Sequence, residues 1–266
     1  MRSVLKRALW LVSIPVMALS FMAMFMFAAA PPVAAAASPA SAAHNVSHFT
    51  APRQSHTRQG RNSTSSNWSG YATTGTTYSD VKGSWIEPTA TCSRRQTAYS
   101  SFWVGIDGDG TNSVEQTGTD ADCSRGTPTY YAWYEMYPAF PVNLSGTVRP
   151  GDSMTAEVKY NGGTSFTLTI KNNTRGWTFT TNQSSSIAAR GSAEWIAEAP
   201  SSNSGVLPLA NFGTVSFSSC TANGVSISSN PNPDAIVMET SNGTVKAQPS
   251  GLGAGGSSFS VTWHHS

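Results

Sequence analysis

From Asn62 to the C-terminus the chain is a succession of short runs in which apolar and polar residues alternate. "VKGSWIE", "SSFWVGI", "TYYAWYEMY", "SMTAEVKY", "SFTLTIKN", "AEWIAEA", "AIVMET" and "SFSVTW" are each long enough for one strand. Clusters of Gly, Pro, Asn, Asp and Ser, such as "NGG", "RPGD" and "NPNPD", separate them. Period two belongs to a strand with two unlike faces. No amphipathic helical window stands out after residue 62. The pattern predicts one all-β domain over 62–266, an antiparallel two-sheet β-sandwich of jelly-roll (concanavalin-like) type. "GLGAGGSS" reads as a loop before a last strand that ends at Trp263.

The N-terminus follows another pattern. "MRSVLKR" is a basic n-region, an apolar run follows, and "PPVAAAASPASAA" supplies small residues that place cleavage after Ala37 or Ala43. Residues 1–43 are therefore expected to be a signal peptide and the protein to be secreted. The apolar run is also long enough to span a bilayer, which keeps an uncleaved anchor as the alternative. Residues 44–61 contain three histidines, three arginines and no acid. They read either as a linker or as a short basic pro-segment lying on an acidic enzyme.

Removing the first 61 residues changes the sign of the charge. Ten basic residues remain against fourteen acids, a formal charge of −4. That balance argues against a nucleic-acid partner, which needs a basic stripe. Only 11% of the chain is charged, against about 25% in a typical domain. Few cations mean little mutual repulsion once carboxylates protonate, a composition suited to acid. Cys92, Cys123 and Cys220 allow one disulfide, with three pairings open. Three Cys without a neighbouring His make a poor zinc site, and neither metal nor cofactor is expected. Nothing signals oligomerisation, so a monomer is expected.

Histidine narrows the chemistry by its position. His44, His48 and His56 precede the domain, and His264 and His265 end it. A Ser-His-Asp triad, a Cys-His pair or an HExxH zinc site has no histidine within the fold. "DGDGTNSVEQTG" fails as an EF-hand, because Asn112 stands where glycine is needed and Gly118 where the bidentate acid belongs. It reads as a polar hairpin turn. Period two places Trp103, Gly105 and Asp107 on one strand face, Trp133, Glu135 and Tyr137 on another, and Glu194, Ile196 and Glu198 on a third. Solvent faces seldom carry so much tryptophan, and cores seldom accept unpaired glutamate. A concave groove satisfies both constraints.

"SNWSGY", "FWVGIDGDG", "EQTGTD", "YYAWYEMYP" and "AEWIAEAP", in this order and spacing, resemble the glutamic endopeptidases, or eqolisins. The similarity spans about Asn67 to Trp263 and looks closest to bacterial members. It implies a two-sheet sandwich and an acid endopeptidase acting on proteins or peptides through a glutamine–glutamate dyad. By motif the glutamine falls on Gln116 and the glutamate on Glu198. Trp68, Trp103, Asp107, Trp133, Glu135 and Tyr137 match positions that bind substrate in the family's groove. The chain departs from the family at Tyr131, where an aspartate is common, and at Ala199 and Pro200, where some members are acidic. The role of Glu194 stays open. The alternative is a jelly roll that binds or hydrolyses glycans.

Overall fold

The computed structural model describes residues 48–53, 55–59 and 62–266; the signal-peptide expectation for 1–43 lies outside the described residues. The strands are β1 (Ser55–Gln59), β2 (Asn62–Ser65), β3 (Trp68–Thr74), β4 (Asp80–Ile86), β5 (Ser101–Ile106), β6 (Val114–Ser124) and β7 (Thr127–Tyr137). There follow β8 (Val142–Asn143), β9 (Ser153–Gly162), β10 (Ser165–Asn172), β11 (Trp177–Ser184), β12 (Ser192–Glu198), β13 (Ser201–Ser202) and β14 (Gly205–Val206). The last are β15 (Thr214–Ala222), β16 (Val225–Ser226), β17 (Asp234–Glu239), β18 (Val245–Pro249) and β19 (Phe259–Trp263). The only helical element among the described residues is a 3₁₀ turn at Ile227–Ser229.

Two layers form the sandwich. One runs β11-β10-β9-β4-β15-β19 and the other β17-β3-β12-β5-β6-β7-β8, while β18 pairs with both β19 and β17 along one edge. Main-layer neighbours are antiparallel; β2 joins β17 in parallel and carries β1. Side chains at alternate positions fill the space between the layers. Phe102, Val104, Ile106, Ala193, Trp195 and Ala197 meet Val81, Ala156, Val158, Leu168 and Ile170 in one buried cluster. The Trp195 indole donates to the Lys82 carbonyl at 2.7 Å, so its one polar atom is satisfied across the core.

On β5 and β12 both faces are buried. The outward face forms a second cluster of Trp68, Ala72, Trp103, Val114, Trp133, Ile196 and Ile236. By contrast, β11 alternates half-buried with exposed residues. The outer face of its layer meets water mostly through hydroxyls and amides, with Ser84–Thr155 at 2.8 Å, Thr167–Asn182 at 2.7 Å and Thr169–Thr180 at 3.1 Å.

Residues 107–113 connect β5 to β6 as a hairpin. Of the three cysteine pairings, Cys92–Cys123 forms, with Cα atoms 5.5 Å apart, and Cys220 is left as a buried thiol. Residues 48–53 lie against the domain, and 55–59 form a strand paired with β2.

Candidate active site

Strand register builds the site in three rows across the outward face of β12, β5, β6 and β7. Glu194, Gly105, Gln116 and Glu135 are consecutive cross-strand partners. The next row is Ile196, Trp103, Gly118 and Trp133, and the third is Glu198, Ser101, Asp120 and Tyr131. Directly paired antiparallel residues point to the same side, so register alone brings residues 82 positions apart onto one floor. Gly118 keeps that floor hollow. A Cβ there would lie 2.3 Å from the Phe102 carbonyl oxygen and 2.6 Å from the Trp103 Cβ. At Gly70, with φ +149°, a Cβ would sit 2.1 Å from the Trp195 carbonyl oxygen, so only glycine lets β3 close against β12.

Glu198 is fully buried and well supplied with donors. Trp103 Nε1 donates to its Oε2 at 2.8 Å, and the Ala51 N–H to its Oε1 at 3.0 Å. Asn67 Nδ2 lies 3.4 Å from Oε1. Burial pushes the carboxyl well above its usual range; the Ala51, Trp103 and Asn67 donors act against that, and the Glu135 charge adds to it. Gln116 Nε2 donates to Glu135 Oε2 at 2.9 Å and also reaches the Thr50 hydroxyl. That hydroxyl donates to Glu135. Burial raises Glu135 to about 8, with the Thr50 bonds opposing the shift.

Around these groups the tryptophans are scaffold and donors at once. Trp68 and Trp103 pack edge to face with ring centroids 5.0 Å apart. Trp133 Nε1 donates to Asp120 Oδ1 at 2.5 Å. Tyr137 faces Phe49 at 6.1 Å between centroids. Asp107 stands apart from the groove residues expected to accompany it. β5 ends at Ile106, Asp107 takes φ +71°, and the period-two alternation stops there. Its carboxylate accepts the Arg190 N–H at 2.7 Å and the Gly191 N–H at 2.8 Å, pinning the chain as it enters β12.

The groove holds residues 48–53 of the same chain. His48 Nε2 lies 2.8 Å from Asp120 Oδ2 and 3.0 Å from the Tyr131 hydroxyl, with Asp122 Oδ2 at 3.9 Å. The Tyr131 hydroxyl also lies 2.8 Å from both Asp120 Oδ2 and Asp122 Oδ2, with one proton to share between them. Burial and the neighbouring Asp120 raise Asp122 to about 8. At the far end Arg53 Nη1 meets Asp109 at 3.0 Å and Asp234 at 3.2 Å. His48, Asp120 and Asp122 come within 4.8 Å of one another, a donor set of metal-ligand type, but Tyr131 and Ser100 already bond these carboxylates.

Asp120, Asp122, Asp109, Asp234 and Asn67 complete the site beyond the residues read from the sequence. Asp120 and Asp122 were within reach, because both continue the Gln116–Gly118 alternation along β6. The others become visible only once distant segments meet.

The model of the Peptidase A4 family matches residues 66–263. The chain belongs to this family. Two curated relatives of this glutamic peptidase are aspergillopepsin-2 of Aspergillus niger and scytalidopepsin B of Scytalidium lignicola. The first is 31% identical over 223 residues, 75% of this chain and 78% of the relative. The second is 35% identical over 177 residues, 61% of this chain and 66% of the relative. Among solved structures, scytalido-glutamic peptidase with a transition-state analogue inhibitor aligns at a TM-score of 0.66 and 29% identity, covering 75% of this chain and 98% of that one. Aspergilloglutamic peptidase from Aspergillus niger aligns at 0.56 and 32%, over 63% and 99%. These relatives are fungal, so the expected closeness to bacterial members finds no support in them. The A4 peptidase is a hydrolase, with the two-sheet sandwich its sequence pattern predicts.

Proposed function

We propose that the protein is a secreted acid endopeptidase that hydrolyses peptide bonds in proteins, with Glu198 as general base and acid and Gln116 as oxyanion donor. The observation that carries this reading is an extended segment, residues 48–53, lying in the groove against both residues. Glu198 Oε1 accepts the Ala51 N–H at 3.0 Å, and Gln116 Nε2 reaches the Thr50 side-chain hydroxyl.

The chemistry follows from the side chains. A glutamate with an ordinary pKa near about 4.3 is an ionised base in mild acid, where histidine is already protonated. While residues 48–53 cover it, burial pushes the Glu198 carboxyl well above its usual range. Once the groove opens, water returns and the carboxyl falls back toward its ordinary range, with the Trp103 indole favouring the charged form. Glu198 then takes a proton from water as the oxygen attacks the peptide carbonyl, and hands it to the leaving nitrogen. Gln116 does not titrate, and its amide donates to the developing oxyanion. Trp68 and Trp103 wall the reaction from solvent, Trp133 fixes Asp120, and Glu135 fixes the Gln116 amide.

Residues 44–61 act in this reading as a pro-segment. His48 binds Asp120, and Arg53 binds Asp109 and Asp234; ion pairs of this kind weaken in acid. Precursor that retains 44–61 after incubation at a pH of about 3 to 4 and is nonetheless fully active would refute this part.

The test is cleavage of an unfolded protein at pH about 3.5 by mature enzyme and by Glu198→Gln, with chelator and an inhibitor of paired-aspartate proteases present. Cleavage by the parent alone supports the dyad. Equal cleavage by both moves the base elsewhere, with Glu194 tested next. No cleavage by either, with the fold intact, favours glycan binding.

A further inference from the structure

Several cations of this acidic domain are matched by a neighbour. Arg175 Nε lies 2.6 Å from Asp152, Arg190 sits over the Tyr160 ring at 3.9 Å, and Lys82 and Lys159 stand opposite Glu157 and Asp80 in the β4–β9 register. Arg94, Arg95 and Arg125 are not. All three are exposed, and among the described residues none has a carboxylate within ion-pairing distance. Residues 88–100, 124–134 and 199–213 meet at this corner, joined by Gly126–Gln96, Thr91–Asn211 and Tyr99–Pro208 backbone bonds. None of the three stretches contains Asp or Glu. The acids that flank them along the chain, Glu87 and Asp122, are buried.

The corner is rigid. A turn over Ser93–Gln96 is closed by the Gln96 N–H on the Ser93 carbonyl at 2.9 Å and by the Gln96 side chain accepting the Ser93 N–H at 2.9 Å. Arg125 and Gly126, at φ +51° and +87°, make the two-residue turn from β6 to β7. The Gly126 N–H donates to the Gln96 carbonyl at 2.7 Å, and the Cys92–Cys123 disulfide ties the two turns from below. A Cβ on Gly126 would lie 2.9 Å from the Arg95 nitrogen and 3.3 Å from the Arg94 Cα, so the turns touch. Arg95, at φ +64°, and Arg125 occupy left-handed positions that asparagine or glycine fills at lower cost. Turn chemistry does not account for arginine there.

We propose that Arg94, Arg95 and Arg125 are a docking site for a phosphate monoester on the peptide substrate, so that the enzyme favours phosphorylated proteins. The inference rests on the peptidase reading above. β6 carries Gln116, Asp120 and Asp122 along its outward face and ends at Ser124, so the corner prolongs the groove. Arg125 follows Asp122 by three residues, about 10 Å of strand. A peptide leaving the groove past Asp122 spans that distance with about three extended residues. Acid selects the ligand. At pH about 3.5 most Asp and Glu side chains of an unfolded substrate are protonated. A phosphate monoester keeps one negative charge there, because its second ionisation comes only near about 6. Guanidinium groups stay charged and bind phosphate oxygens two at a time.

The experiment takes unfolded peptides that the mature enzyme cleaves and resynthesises them with phosphoserine at successive positions, about three to eight residues to either side of the cleaved bond. Kinetics are read at pH about 3.5. On one side of the bond the phosphate should lower KM about fivefold with kcat unchanged, and about 1 M salt should abolish the gain. The gain should also vanish in the triple variant Arg94→Gln, Arg95→Asn, Arg125→Asn, in which asparagine suits the left-handed turns. Arg94→Gln alone, outside those positions, should lose part of it. An unchanged Tm and unchanged kinetics on the unphosphorylated peptide establish that the variants are intact. A phosphate that leaves KM unaltered, or a gain that survives in the triple variant, overturns this inference and leaves the peptidase reading standing. Binding of inorganic polyphosphate through the three arginines, with no gain for phosphopeptides, assigns the corner to an anionic surface polymer and overturns the substrate role. Failure of the parent to cleave any peptide overturns the peptidase reading itself, and this inference with it.

Discussion

Glu194 and Glu198 share one strand, one face and complete burial, yet their surroundings have little in common. Glu198 has an indole N–H, a backbone N–H and a side-chain amide aimed at it. Neither oxygen of Glu194 has a partner at hydrogen-bonding geometry, although Ser192 is near enough to offset its burial in part. Its other neighbours, Asp109, Asp107 and Glu115, are acids that push its pKa further up. Burial alone therefore does not make a reactive carboxylate. Burial raises both carboxyls, and the donors that oppose it are more numerous at Glu198, the base proposed above, than at Glu194.

The largest effect that would break this contrast comes from Glu198→Gln. Loss of the base should lower kcat by about 10³–10⁴-fold or more, whereas Glu194→Gln should leave kcat within about tenfold of the parent. Equal losses in the two variants, measured on an unfolded protein substrate, would erase the distinction. Gln116→Ala should cost about 10²–10³ in kcat, as removal of an oxyanion donor does, with KM little changed. Trp103→Phe keeps the ring and deletes the donor to Glu198, so kcat should fall about tenfold. The acidic limb of its pH–rate profile should move to higher pH, because the ionised form has lost a hydrogen bond.

The smallest effect on rate accompanies a clear one on stability. Glu194 has a folded-state pKa raised well above its unfolded value. The stability it contributes is complete below the unfolded pKa and is lost as pH rises through the folded one. Glu115, raised by burial to about 8, has the same sign, its contribution disappearing between about 4.5 and about 8. The protein should therefore melt at a higher temperature in acid than at neutral pH. In Glu194→Gln the fall in Tm between acid and neutral pH should be smaller, and at pH about 3.5 the two Tm values should coincide. An identical pH dependence in both proteins would show that Glu194 is solvated or paired.

Period two put Trp103, Trp133 and Glu198 on strand faces, and the resemblance singled out Gln116 and Glu198; that these faces share one floor is the work of register between distant strands. "AEWIAEAP" announces a strand whose acids face one way, and Gly105 and Gly118 mark where that floor is kept low. Asp107 shows where the reasoning stops. Strand alternation predicted a groove position, but the strand ends one residue earlier and a positive φ turns the side chain to Arg190 and Gly191. The Arg53–Asp109–Asp234 cluster was hidden for a different reason. Its members are separated by up to 181 positions, and nothing local in "APRQ" or "NPNPD" records that they meet. The same holds for His48 between Asp120 and Asp122, where only the basic composition of 44–61 against an acidic domain hinted at contact.

The hydroxyl-rich face of the β9–β10–β11 layer bears on how this molecule stays dispersed. A protein suspended by net charge clumps when the medium carries it through its isoelectric point. Serine, threonine and asparagine have no such point to cross. Much of this surface should be as wettable in strong acid as at neutrality, and its limit should come from competition for water. Sulfate and other excluded solutes, rather than acidity, should then drive the protein out of solution.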